Sequence, residues 1–314
     1  MDGSNRSNVI EFILLGFSEK PGEQVIFFLV FLMTYLTTVA GNLAIILLVK
    51  TACQLQTPMY FFLMILSFVD MSFSSVTVPK MLTNIFSSKK TISIAGCFTQ
   101  MYFLIFYAAT ECMLLGVMAY DRYVAICYPL RYSQLMNRKL CLQMVVTSCI
   151  SASLHSLLHV LLITMLSFCG PNRIHHFFCD MIPLLQLSCS DTSVNEMVVY
   201  TEAPLVIMAP FLVTVVSYVR IASAIWKIPS ATGRRRTFST CSSHLTVVIM
   251  FYGAIISTYF RPSSNLSPDS DKVKTAMYSV VVPMLNPFIY SLRNNDVKEA
   301  FKKAIFRGKF TKKT

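Results

Sequence analysis

The sequence predicts an all-α membrane protein: a bundle of seven transmembrane helices followed by a short amphipathic C-terminal helix. Three observations lead there. Of the 314 residues, 54% are hydrophobic and only 13% charged, where a soluble domain carries about 25% charged residues. Mean hydropathy is +0.59. The apolar residues gather into seven runs, each at least as long as the 20 or so residues needed to cross about 30 Å of hydrocarbon. A single domain follows, with residues 1–24 as an N-terminal segment outside the bundle, 25–292 as the bundle and 293–314 as a basic tail. The net charge of +12 fits basic loops beside anionic lipid rather than nucleic acid.

No cleavable leader is expected, because residues 1–8 are polar and Glu11 interrupts the weak apolar stretch that follows. Asn5-Arg6-Ser7 is a glycosylation sequon; Asn265-Leu266-Ser267 is a second and weaker candidate. The first run, 25–49, carries Gly41-Asn42. Glycine permits close helix approach there, and a buried Asn seeks an interhelical partner. The second opens with Leu55-Gln56-Thr57-Pro58-Met59-Tyr60-Phe61-Phe62-Leu63, where Thr57 suits a cap and Pro58 a first turn. It runs to about residue 82 and holds Asp70 at mid-depth. A lone carboxylate there costs roughly 3 kcal/mol unless it holds a cation, water or a proton.

The third run, 95–127, begins near Cys97 and ends on Met118-Ala119-Tyr120-Asp121-Arg122-Tyr123-Val124-Ala125-Ile126-Cys127. Cys97 and Arg122 are separated by about 37 Å of helix at 1.5 Å per residue, so they lie on opposite faces of the membrane. Glu111 sits between them. With Asp70 it makes a pair of deep acids that can share one Na+ or one proton, since close like charges cannot both stay bare. The fourth run, 141–166, puts His155 and His159 on one face. That spacing suits a metal, but no acid or Cys in the sequence obviously completes the set, and cavity-lining side chains are the preferred reading.

The loop 167–195 holds Cys169, Cys179 and Cys189, which with Cys97 make four cysteines on one face and allow three pairings. His175, His176, Cys179 and Asp180 are also metal-ligating types, though a disulfide would remove the thiolate. The fifth run, 196–226, carries Glu202, Pro210, where a kink is expected, and Ser217-Tyr218. A short basic loop with Gly233-Arg234-Arg235-Arg236 reads as a solvated anchor. In the sixth run, 238–260, Tyr252, Ile255, Ile256 and Tyr259 share a helical face. The seventh, 272–292, contains Pro283-Met284-Leu285-Asn286-Pro287-Phe288-Ile289-Tyr290. Two prolines break its ladder and leave carbonyls that Asn286 or water must satisfy. In the tail, Val297, Ala300, Phe301, Ala304 and Ile305 oppose Lys298, Lys302 and Lys303, an amphipathic pattern suited to a membrane surface.

Eighteen of the 27 Lys and Arg residues fall on the Arg122 side. The positive-inside rule places that side and the C-terminus in the cytoplasm. The N-terminus and the loop cysteines then lie outside, in agreement with the Asn5 sequon and with disulfides.

Taken in order, the segments 55–63, 118–127, 217–218, 238–245 and 283–294 resemble the rhodopsin-like G-protein-coupled receptors. Within them they are similar to the olfactory receptors of the tetrapod (class II) type, over nearly the whole chain. The resemblance implies disulfides Cys97–Cys179 and Cys169–Cys189. It implies a buried ion or water site at Asn42, Asp70 and Glu111, with sodium as a possible ion and no other cofactor. It implies activation elements at Asp121, Arg122, Tyr218, His244, Asn286, Pro287 and Tyr290. Gln56 stands where such receptors usually have His, Cys149 where a Trp is usual, and Arg236-Thr237 where Lys-Ala is usual.

The expected function is that of an odorant receptor at the plasma membrane, which activates an olfactory stimulatory G protein and raises cyclic AMP. A small, uncharged volatile would bind among Leu104, Ile105, Ala108, Ala109, His155, His159, Glu202, Val206, Tyr252, Ile255, Ile256 and Tyr259, a mostly apolar wall with few polar groups. Glu202 leaves an amine open. A transporter would need inverted repeats or broken spans in both halves, and only the seventh run is strongly broken. No nucleophile–base set at matched depth suggests an enzyme.

Overall fold

The computed structural model describes residues 10–17, 20–87, 89–169, 172–227, 230–259 and 268–310. It is a seven-helix bundle with a further helix at its C-terminal end. The spans are α1 (Pro21–Thr51), α2 (Pro58–Ile85), α3 (Ile94–Cys127), α5 (Arg138–Thr164), α7 (Ser193–Trp226), α8 (Ala231–Tyr259) and a composite seventh. The seventh runs through α9 (Pro268–Ala276), a π-turn (Met277–Val281) and α10 (Val282–Arg293), and α11 (Asn295–Phe310) follows. Short helices α4 (Tyr132–Leu135) and α6 (Met181–Gln186) lie in the connections after α3 and α5. Among the described residues, α1, α2, α3, α5 and α7 are each long and apolar enough to cross a membrane, and α8 has a shorter apolar core, 241–257.

The helices end where local chemistry says they should. Pro58 opens α2, where its missing N–H costs nothing. Ser93 caps α3 through Gly96 N, and Asn137 caps α5 through Leu140 N. One boundary departs from the sequence reading: Gly233 and Arg234 belong to the first turns of α8, not to a loop. Arg is a good helix former, so a charged run need not break a helix.

α3 is the central helix and packs against α2, α5 and α7. Two glycines mark the tightest crossings. A Cβ on Gly116 would meet the Pro210 carbonyl oxygen of α7 at 3.1 Å. A Cβ on Gly41 would sit 3.2 Å from the Pro287 ring of α10.

The two ends of the bundle are named here by their contents, the disulfide end and the Arg122 end. The disulfide end carries a small sheet that the helical reading did not foresee. Strand β1 (Glu11–Leu14) pairs antiparallel with β2 (Thr91–Ser93) and parallel with β3 (Arg173–Ile174). The N-terminal segment is thereby laced between two loops, helped by Asn172 Nδ2 donating to Glu11 O at 2.6 Å. Under it lies an apolar cluster of Phe12, Leu14, Met101, Ile174 and Leu184, separate from the main core.

Candidate functional site

At mid-depth four helices deliver polar side chains to one region. Asn42 of α1, Asp70 of α2, Glu111 of α3 and Asn286 of α10 are all essentially fully buried. Asn286 Nδ2 donates to Asp70 Oδ2 at 2.9 Å. Glu111 lies close enough to Asp70 for the two charges to interact. Asp70 Oδ1, both Glu111 oxygens, Asn42 Oδ1, Asn286 Oδ1 and the Ser74 hydroxyl have no hydrogen-bond partner. Buried polar atoms are normally satisfied, so this set fits a cation or a small water cluster. Its donors are oxygens throughout, as a hard cation prefers.

The same region shows how the broken seventh span is repaired. Pro287 has no N–H to give the carbonyl four residues earlier, that of Pro283. Asn42 Nδ2 donates to that oxygen at 3.1 Å and to Thr38 O at 3.0 Å. The expected repair by Asn286 is thus corrected: Asn286 serves Asp70, and Asn42 reaches across from α1. Pro283 is the second residue of α10, one position past the π-turn, in a first turn where its missing N–H costs little.

At the Arg122 end, Arg122 donates to Asp121 Oδ2 through Nη2 at 2.5 Å and Nε at 3.1 Å. The other oxygen, Oδ1, accepts from the Tyr132 hydroxyl of α4 at 2.7 Å. Burial and the Asp121 carboxylate push the Tyr132 hydroxyl up, so it remains a donor. Asp121 is fully buried, and both its oxygens are engaged. Tyr218 of α7 and His244 of α8 meet at 2.9 Å through Nδ1, and His244 Nε2 is 3.1 Å from Leu115 O of α3. A carbonyl only accepts, so Nε2 carries a hydrogen. In the neutral ring Nδ1 then accepts from Tyr218. Arg122, His244, Tyr290 and Asn294 line a small cleft. Below it, the Tyr60 hydroxyl donates to Asp296 Oδ2 at 3.1 Å and accepts from Asn294 Nδ2 at 2.9 Å, fastening α11 to α2. Tyr132 was not singled out in the sequence, and Tyr60 appeared there only within the segment 55–63, with no role. The pairing of each is non-local, and an isolated tyrosine carries no pattern.

At the disulfide end, Cys97 is bonded to Cys179 and Cys169 to Cys189. Cys179 is therefore unavailable to a metal. Gln100 of α3 reinforces the first bridge: its Oε1 accepts from Cys179 N at 3.0 Å, and its Nε2 donates to Val76 O at 2.9 Å. His176 is buried between Phe177 and Phe178. Burial, and then the Lys272 charge, push its imidazole down to about 3.

The expected ligand-lining residues fall in several places. Leu104, Ala108, Tyr252 and Ile255 belong to the main core between α3 and α8, and Ala109 is buried as well. The Tyr252 hydroxyl donates to Cys112 O at 3.2 Å and its ring packs on Phe211. Ile105 faces the apolar cluster under the sheet, while His155, His159 and Glu202 come together between α5 and α7. The sequence reading found no acid to complete the two histidines; Glu202, from another span, is that acid. Val206 is half-buried. Ile256 is 36% exposed, off the buried face that Tyr252 and Ile255 share. Asn5, Asn265 and the Tyr259 side chain lie outside the described residues.

Comparison with known proteins identifies the family. Residues 31–308 match the family model described as "Olfactory receptor". The chain is 52% identical to Olfactory receptor 1f45 of Rattus norvegicus over 97% of both proteins. It is 51% identical to Olfactory receptor 1F1 of Homo sapiens over 99% of this chain and 100% of that protein, and 50% identical to Olfactory receptor 1E16 of Mus musculus over 98% of both. The chain therefore belongs to the olfactory receptor family: it is a multi-pass G-protein-coupled receptor for odorants, not an enzyme.

Proposed function

We propose that this receptor binds a small, uncharged volatile in the half of the bundle nearer the disulfides and activates a stimulatory G protein, raising cyclic AMP. In this reading the N-terminus and the disulfide end face outward at the plasma membrane, and the Arg122 end and C-terminus face the cytoplasm. The charge asymmetry of the loops supports that orientation. The observation that carries the mechanism is the double engagement of Asp121 by Arg122 and Tyr132. It holds Arg122 beside a cleft that α2, α3, α8 and α10 share.

Ligand binding among Leu104, Ile105, Ala108, Ala109, His155, His159, Glu202, Val206, Tyr252 and Ile255 favours the state in which Arg122 leaves Asp121. It can shift the equilibrium only by its different affinity for the two states. Tyr218, His244, Asn286, Pro287 and Tyr290 rearrange with it. The unpartnered oxygens of Asp70, Glu111 and Asn42 suit a sodium ion or waters that stabilise the resting packing. Asn5 is the proposed glycosylation site.

An odorant panel read by cyclic AMP tests this in cells expressing the wild type or Arg122→Ala at matched surface levels. The reading expects a response from the wild type alone. Equal responses from both would contradict it.

A further inference from the structure

His155 and His159 face Glu202 across the contact of α5 with α7. His155 Nδ1 lies 2.8 Å from Glu202 Oε2, and His159 Nε2 lies 3.3 Å from the same oxygen. The donor atoms of the three residues all fall within 4.8 Å of one another, and the imidazole rings stand edge to face at 4.6 Å. Among the described residues this is the one such group of three His, Cys, Asp or Glu side chains. His155 is well paired with the carboxylate, whereas His159 Nε2 is buried outside hydrogen-bond geometry. A hydrogen bond to Glu202 therefore accounts for His155 and leaves the buried His159 Nε2, aimed at the same carboxylate oxygen, without one.

The geometry points to a binding site for a zinc-class divalent cation, held by His155 Nδ1, His159 Nε2 and a Glu202 carboxylate oxygen. Two imidazoles and one carboxylate are a known zinc donor set, one that leaves a fourth tetrahedral position open. Metal–ligand bonds near 2.0–2.2 Å place tetrahedral ligand atoms roughly 3.3 Å apart, so small side-chain shifts admit the ion. The i,i+4 spacing presents both rings from one face of α5, and Glu202 arrives from α7, so the ion ties the fourth span to the fifth. The side chains of His155 and His159 are 9% and 2% exposed, that of Glu202 32%. The open position accordingly lies on the Glu202 side. The cation also compensates an acid about 14 Å along α7, inside a span where an unpaired carboxylate is costly. The ion binds whether or not an odorant does.

Thermal unfolding of the purified full-length receptor, titrated with Zn2+ alone, tests the site. A saturable rise in Tm is expected for the wild type. H155N, H159N and E202Q should each weaken the apparent affinity at least about tenfold, because even outer-shell changes at metal sites cost 10- to 100-fold. H175N, in the loop, should bind as the wild type does. The Tm of each variant without metal shows that it is folded. Cu2+, which binds such sites more tightly, provides a spectroscopic check: its electron paramagnetic resonance should show two coupled nitrogens in the wild type and one in each His variant. An absent or unsaturable shift in the wild type, or unchanged affinity in all three ligand variants, would overturn the site. So would loss of binding in H175N alone. An odorant response from a receptor without that shift would overturn the metal site and leave the odorant reading standing.

Discussion

At the disulfide end, two covalent bridges, a three-stranded sheet and a separate apolar cluster hold the connections in place. At the Arg122 end the fastenings include side-chain hydrogen bonds between helices: Tyr132 to Asp121, Tyr218 to His244, Tyr60 to Asn294 and Asp296. Covalent links and sheet ladders have one arrangement. Hydrogen bonds among tyrosines, a histidine and an ion pair have several of similar energy, because each group can find another partner. The molecule is thus fixed where ligand is proposed to enter and exchangeable where the signal is proposed to leave. The polar site at mid-depth joins the two halves through α1, α2, α3 and α10.

The largest effect should come from breaking the fixed end. Cys97→Ser removes a bridge between residues 82 apart in sequence, and such a loss costs about 2–5 kcal/mol. Unfolding temperature and surface expression should both fall, and with them any difference in rigidity between the ends. At the exchangeable end, Tyr132→Phe leaves Asp121 Oδ1 unpaired. A hydrogen bond to a charged group is worth about 1.5–3 kcal/mol, so basal cyclic AMP should rise, with a fall in unfolding temperature smaller than that of Cys97→Ser. A fall in basal signal would reverse the assignment of Tyr132 as a restraint.

Asn42→Ala tests the joint between the halves. It strips the donor from Pro283 O, at about 1–3 kcal/mol for a buried unsatisfied carbonyl. Calorimetry should show the loss, and Asn42→Asp should not restore it, because a carboxylate cannot donate there.

Close to neutral pH the smallest effect is the titration of His176 at the disulfide end. Folded His176 takes up a proton only near pH 3, whereas an unfolded His does so near 6.5. Between those values the unfolded chain binds more protons. Stability should therefore be unaffected above about pH 6.5 and fall by up to about 1.4 kcal/mol per unit as pH drops below it. His176→Phe should flatten that part of the unfolding profile.

The helices were legible because apolar runs of the right length leave little choice in a bilayer, and the deep acids and paired prolines stood out as costly. What the sequence hid was partnership across distance. Residues 11–14 are too few to show a strand period, and their partners lie in two remote loops. The repair of Pro283 by Asn42 bridges 241 residues. Glu202 was visible as a charge in a span, and the two histidines as a spacing, yet only the packing of α5 on α7 unites them. Ile256 was read onto one helical face with Tyr252 and Ile255, while the structure leaves it 36% exposed beside those two buried side chains.

Whether one end moves while the other stays is measured most directly by electron-spin distances in the odorant-bound and free receptor. Labels attached by non-cysteine chemistry spare the free thiols, among them exposed Cys53. One pair at exposed Leu130 and Phe238 reports on the Arg122 end, and a second at Met165 and Met197 on the disulfide end. The first distance should lengthen by several Å with odorant, on the scale of a helix shift, while the second stays constant. A constant first distance, or an equal change at both ends, would contradict the account.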